Sequence, residues 1–149
     1  MKPLRTALMA GALTMVAATS ALAISEDIKT RQSLMQSMRD AAKVAGAMAK
    51  GKMDYDPARA QLAMNVFYAA ITGFPQFFGD DDSADPDTEA GPKIWQDMDG
   101  FKAKAMGMRA DAASAIKTAD DGFDEFKAAF GSVAENCKSC HDAYRVEKK

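Results

Sequence analysis

The stretch GFDEFKAAFGSVAENCKSCHDAYR, residues 122–145, carries both the fold signal and the chemistry of this chain. Within it Phe123, Phe126, Phe130, Val133, Cys137, Cys140 and Tyr144 recur at three- and four-residue steps. On a helix of about 3.6 residues per turn, that spacing draws one apolar seam. It predicts a helix from about Gly122 to Arg145. The run Cys137-Lys138-Ser139-Cys140-His141 lies at the carboxyl-terminal end of that seam, with both thiols in register with it.

Three more helices follow from the same test. Upstream of the quoted stretch, Ile94, Phe101, Met108 and Ala115 recur every seven residues, with Met98, Ala105 and Ala112 between them. This predicts a helix from about Lys93 to Ala119. Asp56-Pro57 opens another, because Asp suits a cap and Pro the first helical position. Leu62, Val66, Ala69 and Ala70 mark its expected apolar stripe, and Gly73 and Pro75 its end. Ser25, followed by Glu26 and Asp27, reads as the capped acidic start of a first helix that runs to about Lys50 and stops at Gly51. Ile28, Met35, Met38, Ala42, Ala45 and Ala49 would form its buried face. Gly107 and Gly122 weaken the last two helices only locally. Long amphipathic helices and almost no strand signal predict an all-α, antiparallel, left-handed four-helix bundle. Phe74, Phe77 and Phe78 would plug one end of its core.

Between the second and third helices, residues 79–92 hold Asp80, Asp81, Asp82, Asp85, Asp87 and Glu89 and no basic residue until Lys93. An EF-hand loop starting at Asp80 needs a glycine where Asp85 stands and a glutamate where Gly91 stands. The segment therefore reads as a solvated acidic connection.

The amino terminus has a separate logic. Lys2 and Arg5 precede a run of small and apolar residues from Ala7 to Ala18, and Ala21-Leu22-Ala23 supplies a small-x-small cleavage pattern. This is the layout of a secretory signal peptide, residues 1–23, leaving one domain over residues 24–149. The run is short for a membrane anchor, so the cleaved chain is expected in the periplasm and not inserted in a membrane. The formal net charge is −2, and the leader removes two positive charges. The mature chain is thus more acidic still, which argues against nucleic acid as a partner.

A C-x-x-C-H run is the attachment pattern of haem c. Thiols at i and i+3 share a helix face, where each can bond one former vinyl group of a porphyrin. His141 then offers an imidazole to the iron. A thioredoxin-like dithiol would need a βαβ setting, which is missing. Tetrahedral zinc wants four ligands, whereas Cys137, Cys140 and His141 are the chain's only Cys and His residues. With one histidine, the sixth iron position is left to methionine, to another weak donor or to nothing. Beyond the leader stand Met35, Met38, Met48, Met53, Met64, Met98, Met106 and Met108. No acid–base pair or nucleophile constellation accompanies the motif, so an enzyme is not expected.

An exported four-helix bundle with C-x-x-C-H near its carboxyl end resembles the class II cytochromes c, cytochrome c′ and its low-spin relatives. The resemblance spans the mature chain. It is sharpest at Thr30-Arg31-Gln32-Ser33-Leu34-Met35, at Pro92-Lys93-Ile94-Trp95-Gln96-Asp97 and from Cys137 to Arg145. It implies thioethers at Cys137 and Cys140 and a proximal ligand at His141. It also implies pocket-lining roles for Arg31 and Gln32, the arginine toward a haem propionate, and an arginine beside the proximal histidine at Arg145. Met35 matches the distal position. In low-spin relatives a methionine there binds iron, whereas in cytochromes c′ the distal residue is a bystander.

Two functions follow from these alternatives. With Met35 as sixth ligand, the chain is expected to carry single electrons among periplasmic redox proteins. With Met35 as a bystander, it is expected to bind nitric oxide or carbon monoxide at a five-coordinate iron. The resemblance also implies that a homodimer through the first two helices is available to the chain. Lys127, Lys138, Lys148 and Lys149 read as scattered surface charges rather than a docking patch.

Overall fold

The computed structural model describes residues 12–147, as five α-helices with no strand among them. The order is α1 (Ala12–Ala49), α2 (Pro57–Gly73), a 3₁₀ turn (Phe74–Phe77), α3 (Lys93–Gln96), α4 (Met98–Ala115) and α5 (Phe123–Tyr144). Helix α1 packs on α2 and α5, and α4 closes the ring between α2 and α5. With short links joining α1 to α2 and α4 to α5, this is the expected four-helix bundle. The tiny α3 rides at the start of α4.

The ends of the helices follow local chemistry. Gly51 takes φ +65°. Lys52 N–H donates to the Ala47 carbonyl at 2.8 Å and Gly51 N–H to that of Met48 at 2.9 Å. These two bonds form a Schellman cap, which needs the left-handed residue that glycine supplies without strain. At the start of α2, the Asp56 carboxylate accepts from Arg59 N–H at 2.9 Å, with Pro57 at the first position. Both features match the expectation from sequence.

Helix α1 does not start at Ser25. It passes through that residue from Ala12. The preceding residues contain no Gly or Pro after Gly11 and are rich in good helix formers, so nothing compels a cap at Ser25. The first eleven residues of the expected leader lie outside the described residues.

Of the stripe expected on α2, Ala70 is buried as expected but Leu62, Val66 and Ala69 lie off the buried face. Ala60, Ala63, Met64, Phe67, Ala70 and Ile71 are buried, whereas Leu62 is 64% exposed. Ala69 is exposed too, and Val66 is half-buried. Both faces satisfy the helical spacing, but one carries Phe67 and Met64. The face with the larger apolar area goes inward.

The helix expected over Lys93–Ala119 is broken at Asp97 and ends at Ala115. Asp97 has φ −140° and ψ 55°, and its carboxylate accepts from Gly100 N–H at 3.2 Å, so it caps α4. Its second oxygen accepts the Tyr144 hydroxyl at 2.8 Å. A Cβ on Gly100 would lie 2.5 Å from an Asp97 oxygen and 2.7 Å from the Tyr144 hydroxyl. The absent side chain makes room for this joint. The seam beyond it holds, with Phe101, Ala105, Met108, Ala112 and Ala115 buried.

Helix α5 buries Phe126, Val133 and Tyr144, while Phe123 and Cys137 are exposed. Two of the three expected plug residues, Phe74 and Phe78, are buried, Phe77 is half-buried, and Phe78 meets Phe101 edge-on at 4.7 Å. Phe101 in turn meets Tyr144 at 5.4 Å. The aromatic cluster thus joins the end of α2 to the last turn of α5.

Replacing Asp97 with Ala is expected to cost about 2–4 kcal/mol in urea unfolding, from a lost cap and an unpaired buried hydroxyl. Tyr144→Phe should cost about 1 kcal/mol, because the cap survives. Burial, and then the bond to Asp97, push the Tyr144 hydroxyl up to about 12. The raised value means that its contribution is complete below about pH 10, the ordinary tyrosine range, and fades as pH rises toward 12. Tyr144→Phe should therefore be less sensitive than the parent to alkali in that window.

Candidate haem site

A cavity of about 570 Å³ opens between α1, α5 and the segment that precedes α3. Helix α1 contributes Arg31, Gln32 and Met35; Met35 lies four residues from Arg31 and three from Gln32, within reach of both on the helix surface. Helix α5 contributes Cys140, His141 and Tyr144, with Arg145 just beyond its end. Phe74, Phe78 and Phe101 form an apolar floor. Six of the seven residues singled out by sequence therefore meet in one cavity. The seventh, Cys137, lies one turn back on α5, exposed and outside the lining.

Both cysteines are free thiols, and burial pushes both up from the ordinary thiol range. They are neutral at physiological pH. Zinc binding and dithiol exchange draw on thiolates, which sites of those kinds favour by lowering the thiol value. No group of three metal-binding side chains gathers among the described residues. The donor set fits attachment to a porphyrin, in which each sulfur forms a thioether. His141 is pushed down, first by burial and then by the Arg145 charge, with Glu89 and Asp142 opposing. A neutral imidazole is the form that binds iron.

Arg31 is neither solvent-facing nor free. Its side chain is 5% exposed, and Nη2 donates to Asp82 Oδ2 at 2.6 Å. The Asp82 side chain is 4% exposed. Thr88, also buried, offers Oγ1 at 3.5 Å, and the guanidinium carbon stands 4.4 Å from the centre of the Phe78 ring. Arg31 Nη1 and Asp82 Oδ1 have no hydrogen-bond partner. Both unpaired atoms belong to one buried ion pair, and Arg31 brings that pair to the wall of the cavity.

The acidic connection is not merely solvated, contrary to the expectation from sequence. Residues 86–90 line the cavity as a strap. Gln32 Nε2 donates to the Asp87 carbonyl at 2.7 Å, tying the strap to α1. Arg145 Nε donates to Glu89 Oε2 at 2.6 Å, tying it to α5. Val146 N–H donates to the Glu89 carbonyl, Gly91 N–H to that of Tyr144, and Ala90 pairs with Arg145 as an antiparallel bridge. The Arg145 guanidinium holds the Glu89 carboxyl below its usual range. Sequence reasoning missed Asp82, Thr88 and Glu89. The signal for them was a run of carboxylates without local cations, which left Arg31 and Arg145 as distant partners.

A family model described as cytochrome C′ matches residues 26–145 of this chain. Cytochrome c′ from Rhodopseudomonas palustris is 34% identical over 145 residues, covering 97% of this chain and 98% of that protein. Cytochrome c-556 from Agrobacterium tumefaciens is 33% identical over 118 residues, covering 79% of this chain and 93% of that protein. Among solved structures, the nitric oxide complex of a mutant cytochrome c prime from Alcaligenes xylosoxidans superposes with a TM-score of 0.73 at 30% identity. The match covers 83% of this chain and 97% of that one.

Gly91 tests the strap. A Cβ there would stand 2.8 Å from the Tyr144 carbonyl oxygen that its own N–H bonds. Gly91→Ala is expected to cost about 1–3 kcal/mol in thermal or urea unfolding. It should also speed hydrogen exchange at residues 86–92 more than in α2.

Proposed function

Because this chain belongs to the cytochrome c′ family of class II c-type cytochromes, which carry haem c covalently, we propose that it is a periplasmic one-electron carrier with His141 and Met35 as the axial ligands. The observation that carries this reading is the placement of Met35 on α1 and His141 on α5 in the lining of one cavity. When bound, the haem supplies the ferrous–ferric couple. The protein's part is to hold it still. Cys137 and Cys140 tether it to α5. His141 enters as a neutral imidazole, and the Met35 thioether favours the ferrous state and raises the potential. The floor of Phe74, Phe78 and Phe101 keeps water from one side. Arg31 and Gln32 line the cavity from α1, and by its match to the family Arg31 is the donor for a propionate.

Export fits the leader pattern at residues 1–23, and no described helix is long and apolar enough to cross a membrane. Redox proteins of the periplasm are the partners. The exposed Leu62, with Val66 and Ala69 on the same face of α2, suits a second copy of the chain in a homodimer.

A second reading makes the protein a binder of nitric oxide or carbon monoxide at a five-coordinate iron. It is favoured by the likeness to a cytochrome c prime solved as a nitric oxide complex. In that case Met35, half-buried on α1, shields the iron without binding it.

Absorption spectra of purified ferric and ferrous protein separate the two. The carrier predicts a weak far-red ferric band, a sharp split ferrous spectrum and a low-spin to high-spin change in Met35→Ala. A broad high-spin spectrum that shifts with carbon monoxide, unchanged by Met35→Ala, would establish the gas binder instead.

A further inference from the structure

Arg31 lines the cavity and Asp82 does not. The carboxylate therefore reaches the cavity wall only through its contact with Arg31. Of Arg31's two terminal nitrogens, Nη2 is committed to Asp82 at 2.6 Å and Nη1 is uncommitted. The Phe78 ring lies against the guanidinium at 4.4 Å, and Thr88 touches Nη2 from the strap. Both charged side chains are at most 5% exposed, so neither can relax into water. A buried cation with one fixed counter-ion is held in both orientation and net charge.

We propose that Asp82 is a positioning residue for the haem. It holds the Arg31 guanidinium against the Phe78 ring in the cavity wall, and it cancels the charge that the iron would otherwise sense. The inference rests on the reading of this cavity as the haem pocket. A naked cation in a low-dielectric wall favours the ferrous state, because adding an electron lowers the net positive charge nearby. The Arg31–Asp82 pair is neutral as a unit. Asp82 thus lets the pocket keep Arg31 in its wall without the rise in potential that a lone arginine would bring.

The test is potentiometric titration of the full-length holoprotein, with Asp82→Asn, Arg31→Gln and the double variant beside the parent. Asp82→Asn should raise the ferrous-to-ferric ratio at a fixed ambient potential about tenfold, which is about 59 mV for one electron. Arg31→Gln should lower it. The double variant should return close to the parent, because it restores neutrality. If Asp82→Asn fails to accumulate as holoprotein, the double variant should recover it, since no buried cation is then left unpaired. A double variant as impaired as Asp82→Asn would overturn the proposal, by giving Asp82 a role in the loop alone. A potential that moves in Arg31→Gln but not in a folded Asp82→Asn would overturn it too. If neither single variant moves the potential while the haem spectrum is intact, the assignment of this cavity to the haem fails, and the proposal with it.

Discussion

The hydrogen bond from the Tyr144 hydroxyl to Asp97 ties together the two ends of the bundle's chemistry. Asp97 breaks what would otherwise be one helix into α3 and α4, and it spends one oxygen capping α4. The other oxygen receives the last turn of α5, three residues beyond His141. Beside the strap's bonds to Tyr144, Arg145 and Val146, that contact fixes the carboxyl end of α5 from the side of α4. With it, Tyr144 is driven into the aromatic cluster of Phe74, Phe78 and Phe101, and His141 is carried on a turn that cannot drift. Gly100 belongs to the same arrangement, because any side chain there would occupy the space the bond needs.

The strap extends this logic from packing to charge. An acidic segment between two helices is ordinarily a solvated link, and most of this one is exposed. Two of its carboxylates are not spent on water. Glu89 meets Arg145 beside His141, and Asp82 meets Arg31 beside Met35. The two pairs differ in consequence. Arg145–Glu89 is partly exposed, and such a pair contributes at most about 1 kcal/mol, so its value lies in orientation. Arg31–Asp82 is buried and has paid a desolvation cost that stability alone does not explain.

How much of this could be read from the sequence depends on the range of the interactions. Helix existence, the Gly51 stop and the Asp56-Pro57 start were legible because each is settled within one turn of chain. The motif at Cys137–His141 was legible because its chemistry is written in consecutive residues. The α2 face was misread because two faces of that helix satisfy the same spacing, and only comparison of Phe67 and Met64 with Leu62 and Val66 chooses between them. The break at Asp97 was missed because the seven-residue seam runs straight across it. The residue that makes the break worthwhile, Tyr144, lies 47 positions away. The partners of Arg31 and Arg145 were hidden for the same reason, at separations of 51 and 56 positions.

What remains is the relation between the two walls of the cavity. The α5 wall is specified by covalent need: the Cys140 thiol, one imidazole and a pinned carboxyl end, with Cys137 one turn back. The α1 wall is under a looser constraint, since a side chain at position 35 need only fit. A methionine there is both an apolar filler and a weak iron ligand, and its three rotatable bonds let it serve as either. Rigidity must then come from elsewhere. Arg31 and Gln32, one turn before Met35, are both tethered to the strap, so the stretch of α1 that presents Met35 is held against α5 through the same segment that braces Arg145. The strap thus adds a second tie between α1 and α5 beside their direct packing. A wall held this way suits a thioether that keeps its place through a change in iron charge, and that constancy is what fast electron transfer requires.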